Sequence, residues 1–75
     1  MAHLPVISGK QFVSAMKKLG YEVDHQTGSH MILRNTNPSH RRLTVPNHHP
    51  LAKGTLRKLI REAGITIEEL VGLLR

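Results

Sequence analysis

Histidine is the most chemically versatile residue that this chain carries in number. There are six in 75 residues, beside eleven Lys and Arg, five Asp and Glu, and no cysteine. The lack of cysteine removes thiolate nucleophiles, thiolate metal sites and disulfides. Histidine can still move protons at neutral pH or ligate a metal. His30 has the setting for proton transfer. It directly follows Gly28-Ser29 near a turn, and the strand pattern puts Arg34 and Arg42 on its face of a sheet. A neutral imidazole accepts a proton near pH 7 and can return it, while guanidinium groups hold a phosphate. That combination suits attack of an RNA 2′-hydroxyl on the adjacent phosphorus. The plainer reading is a polar side chain on a solvated sheet face.

The other histidines have quieter settings. His3 precedes the ordered region, and His40 ends a loop. His25 falls on the core side of a strand alternation, where a partly buried, hydrogen-bonded ring is expected. His48 and His49 lie in the loop before the second helix. Histidine zinc sites place two ligands at a short fixed spacing on one element, with a third converging from elsewhere. Adjacent residues such as His48-His49 diverge in regular structure, and there is no His-Glu-x-x-His pattern. Neither a metal nor any other cofactor is expected.

A second constellation is basic. Lys53, Arg57, Lys58 and Arg61 cluster at and after the start of the second helix. Free backbone N–H groups and the helix dipole already favour anions there, so added cations run against the dipole preference. This points to binding of a phosphate backbone rather than to a merely solvated polar face. Ser29, Arg34 and Arg42 join these four as candidate RNA contacts. The formal net charge of +6 agrees, since such a body attracts polyanions, of which nucleic acid is the common one. A membrane surface and an acidic protein partner are the competing explanations. No run is long enough to span a bilayer, and there is no secretory-signal pattern, so a cytoplasmic location is expected.

The elements that must position these residues follow from periodicity. Ser8 and Gln11 form a capping-box pattern ahead of Phe12, Val13, Met16 and Leu19 at helical spacing, closed by Gly20. From Tyr21 the period becomes two, with Tyr21, Val23 and His25 on one side. Thr27-Gly28 is the expected turn into a second strand, Ser29 to Arg34. A third runs from about Arg41 to Val45 and is closed by Pro46. The two short connections imply an antiparallel meander. Met31, Leu33, Leu43 and Val45 then share the core face with Tyr21 and Val23. His30, Ile32, Arg34, Arg42 and Thr44 fall on a face that no helix covers. Leu56, Leu59, Ile60 and Ala63 stripe a second helix ending at Gly64. Thr66 and Glu69 cap a short C-terminal helix. The expectation is a single α+β domain over 1–75, ordered from about residue 8 to 74. Its order is α-β-β-β-α plus the short helix, with a three-stranded antiparallel sheet and the helices on one face.

Ordered landmarks make these residues resemble the HicA (YcfA-like) toxins of bacterial and archaeal toxin–antitoxin pairs. They are Leu19-Gly20-Tyr21, Gly28-Ser29-His30, Val45-Pro46 with a nearby histidine, Gly54-Thr55-Leu56, Ile60 and Ala63-Gly64-Ile65. Gly-Ser-His alone is a weak signal; the ordered set spans nearly the whole chain. The resemblance implies a fold like a double-stranded-RNA-binding domain, mRNA-cleaving ribonuclease activity and neutralisation by a HicB-type antitoxin. It also implies a catalytic histidine at His30 and a possible supporting role at His48. Three functions therefore stand as expectations: a metal-independent endoribonuclease toxin, a non-catalytic RNA-binding module, and a basic subunit that only pairs with an acidic protein.

Overall fold

A computed structural model describes residues 3–75. Its elements are α1 (Gly9–Lys17), β1 (Tyr21–Thr27), β2 (His30–Asn35), β3 (Arg42–Pro46), α2 (Lys53–Ala63) and α3 (Ile67–Leu73). The strands form one antiparallel sheet in the order β1-β2-β3. The α+β class and the α-β-β-β-α order with a short final helix are as the sequence predicts.

Local chemistry explains the helix starts. Ser8 Oγ accepts a hydrogen bond from the Gln11 amide at 3.1 Å, and Gln11 Oε1 accepts from the Ser8 amide at 2.8 Å. Thr66 and Glu69 repeat the reciprocal pair at 3.1 and 3.0 Å. Each such cap stabilises a helix by about 1 kcal/mol. Burial does the rest: Phe12, Met16, Leu33, Leu43, Val45, Leu56 and Leu70 are fully enclosed in a single cluster. Both long helices thus pack on the sheet face that carries Met31, Leu33, Leu43 and Val45. Among the described residues no polar or charged side chain is buried, and no helix is long and apolar enough to cross a membrane.

Two features of the β1–β2 hairpin correct the sequence reading. The turn is Gly28-Ser29, one residue later than expected, with Thr27 paired to His30 across it. Gly28 takes φ +54°, the sign that a tight hairpin needs at its first central position and that glycine adopts without strain. The second correction is a bulge: Val23 pairs with Leu33 and His25 with Ile32, leaving Asp24 as an extra residue. One inserted residue moves every later side chain to the other face. His25 therefore lies on the open face with Ile32, and it is exposed rather than partly buried. Val23 keeps the register of Leu33 but is 42% exposed, so it is not a core residue. It sits on an edge strand that the helices leave largely uncovered.

Candidate active-site cleft

The position of His30 is set from both sides of its strand. The Gly28-Ser29 turn delivers it as the first residue of β2, paired with Thr27 on β1 and Pro46 on β3. The Asn47 amide donates to the Ser29 carbonyl at 2.6 Å and closes that corner. Behind Pro46, the first turn of α1 comes very close. The Gly9 amide donates to the His48 carbonyl at 2.9 Å, and a Cβ on Gly9 would overlap the Pro46 carbonyl oxygen.

The face bearing His30 is open, as the alternation predicts, but it has a wall at one edge. α2 runs beside β3, and the two enclose a cleft of about 330 Å³. From the sheet come His30, Arg42, Thr44 and Pro46; from α2 come Thr55, Lys58, Leu59 and Glu62. No helix covers this face, and α2 borders it at the β3 edge. Among the described residues no group of three or more His, Cys, Asp or Glu could hold a metal ion.

Not every candidate converges on this cleft. His30, Arg42 and Lys58 do. Arg34 is the ladder partner of Arg42, yet it lines a separate recess with Glu22 and Asp24. Arg57 and Arg61 flank another hollow beside Ile65 and Thr66, so the basic residues of α2 divide between two sides of the helix. Lys53 opens α2, is exposed and lines neither. Ser29 and His48 are also exposed, and each lends a backbone carbonyl to the strand end rather than a side chain to the cleft. Thr55 and Glu62 were missed from the sequence. Glu62 did leave a signal: it lies one helical turn after Lys58 and in the last turn of a helix, where the dipole disfavours a carboxylate.

The bulge adds a charge relationship across the open face. Asp24 Oδ2 lies 2.9 Å from His25 Nδ1 and 3.3 Å from Arg42 Nη1. The His25 hydrogen bond holds the Asp24 carboxyl below its ordinary value of 3.8 against an opposing effect of desolvation, and Arg42 adds to the lowering. Arg42 thereby spans the sheet from the cleft to β1. At the other end of α2, the Ala52 cap makes no side-chain hydrogen bond and the first turn has no acid. Its free amides and Lys53 present a positive end to solvent.

A search of curated proteins returns no match. The family model described as HicA toxin of bacterial toxin-antitoxin matches residues 9–65, a span that starts with α1 and contains every residue lining the cleft. That span is more than half of the 75 residues, and the chain accordingly belongs to the HicA toxin family of bacterial toxin–antitoxin systems.

Proposed function

We propose that this toxin is a metal-independent endoribonuclease that cleaves mRNA in the cytoplasm, with His30 as the proton-transfer group, until a HicB-type antitoxin binds it. The observation that carries this reading is the cleft itself, in which an accessible imidazole shares a small concave site with two cations, Arg42 and Lys58. The 2′-oxygen attacks phosphorus as His30 takes its proton, and the P–O5′ bond then breaks as the imidazolium returns a proton to O5′. The products are a 2′,3′-cyclic phosphate and a 5′-hydroxyl, with atoms and protons in balance. Charge building on the phosphorane is offset by the cations. Arg34, Lys53, Arg57 and Arg61 act outside the cleft, as contacts to flanking phosphates. Ser29 and His48 support the strand end that holds His30.

Purified protein incubated with mRNA in EDTA tests the reading. Cyclic-phosphate-terminated fragments are expected from the wild type, and none from His30→Ala, which must still bind RNA and antitoxin. In cells, the same substitution is expected to relieve growth arrest. Undiminished cleavage by His30→Ala overturns the assignment. The second reading, a non-catalytic RNA-binding module, is favoured by the basic surface that lies away from the cleft at Lys53, Arg57 and Arg61. It predicts intact RNA with strongly salt-dependent binding.

A further inference from the structure

Glu62 runs against the charge pattern of its surroundings. It stands in the last turn of α2, at the negative end of the helix dipole, and it is the only acidic residue lining the His30 cleft. Among the described residues the ion pairs are His25–Asp24 and Arg42–Asp24, so neither Glu62 nor Lys58 belongs to one. The side chains of both are exposed. An unpaired carboxylate thus lies one helical turn from an unpaired ammonium, on the same wall of the cleft.

Glu62 and His30 are fixed at opposite ends of the cleft. Arg41 Nη1 donates to the Glu62 backbone carbonyl at 2.8 Å, which ties that end of α2 to the start of β3. His30 pairs with Pro46 at the other end of β3. The four-residue separation from Arg42 to Pro46 corresponds to about 13 Å of strand. Glu62 therefore belongs to the far end of the cleft from His30. A base one sugar away from the reacting phosphate can reach that far.

The chemistry of the pair selects among the bases. A carboxylate only accepts hydrogen bonds and is best satisfied by two parallel donors. Guanine presents N1–H and N2–H₂ side by side, with the O6 acceptor next to them. Adenine and cytosine present one amino donor beside an acceptor, and uracil one N–H between two carbonyls. Single-stranded RNA exposes these edges to side chains. We propose that Glu62 and Lys58 form a guanine-recognition site at the far end of the cleft. The carboxylate takes the N1–H and N2–H₂ donors, and the ammonium, one turn nearer His30, bridges O6 and the neighbouring phosphate with separate N–H donors. The inference depends on the ribonuclease reading only in taking RNA as the ligand.

Binding to the His30→Ala protein, which leaves RNA intact, tests it by fluorescence anisotropy. The probes are single-stranded hexanucleotides that differ at one central position: guanine, inosine, adenine or cytosine. Guanine is expected to bind about tenfold tighter than adenine or cytosine, with inosine between them for want of the N2 amino group. Adding Glu62→Gln should bring the guanine-to-adenine ratio within about twofold of unity, with an unchanged thermal melt because the side chain is exposed. Equal affinities, another base ranked first, or a ratio that survives Glu62→Gln overturns the proposal. Base discrimination in binding alongside a wild type that cleaves nothing overturns the ribonuclease reading instead and leaves this site standing. His30-dependent cleavage with no discrimination in binding overturns this site alone.

Discussion

His30 and Pro46 are the last cross-strand pair of the β2–β3 ladder, and the carbonyl of Pro46 lies hard against Gly9 of α1. The backbone that carries the imidazole is thus backed by a helix from the opposite side of the sheet. His30 needs no buried partner to hold its place. A turn on one side, a ladder partner on the other and a helix end behind that partner suffice.

Gly9→Ala tests this arrangement. Alanine is the better helix former, so propensity alone would favour the change even at this first helical position. The new methyl, however, would overlap a backbone carbonyl that has no flexible way out. Overpacking of that kind costs about 1–3 kcal/mol and should decide the sign. Urea unfolding is expected to show a net loss of stability. Because Pro46 both lines the cleft and pairs with His30, RNA cleavage should fall as well under conditions where the variant remains folded. A variant as stable and as active as the wild type would mean that this contact constrains neither.

Much of this was legible in the residues, for identifiable reasons. Ser8 with Gln11 and Thr66 with Glu69 announced two helix starts because capping is a local interaction of three-residue span. His30 was placed on the open face because Met31 and Leu33 alternate without interruption in β2. Val23 and His25 misled, since a bulge at Asp24 leaves no mark in a hydrophobic alternation that is already weak. The division of α2, with Lys58 in the cleft and Arg57 and Arg61 away from it, depends on where the helix lies against the edge of β3. Periodicity gives the helix a buried stripe but not a bordering strand. Glu62 was hidden for the same reason, and its misfit with the helix dipole is the one mark it leaves in the residues.

Asp24 gives a prediction about pH. Its carboxyl is held below 3.8, first by the His25 hydrogen bond and then by Arg42. The interaction is therefore fully present above 3.8, the ordinary value, and is lost as pH falls through the lower folded midpoint. The carboxyl itself stays ionised between pH 5 and 8. In a carboxyl NMR titration, His25→Ala is expected to raise the Asp24 midpoint toward 3.8 by more than Arg42→Ala does. The reverse order would make the ion pair across the sheet the dominant contact.

The basic residues of α2 should separate into two classes of effect. Arg57 and Arg61 lie outside the cleft, so replacing either with alanine should weaken RNA binding alike for every sequence. Each replacement should also flatten the salt dependence by about 0.7 in log–log slope, the release expected for one single-strand phosphate contact. Lys58 lines the cleft with His30. Lys58→Ala should lower kcat/KM for cleavage by about tenfold or more, as expected when a cation is removed from near developing charge. It should also reduce any preference among bases, which the two arginine variants should leave intact. The measurements are cleavage rates and affinities for all three variants across a salt series. Equal losses in the three would mean that the helix binds RNA as one undivided basic face, and that the cleft has no special part in the reaction.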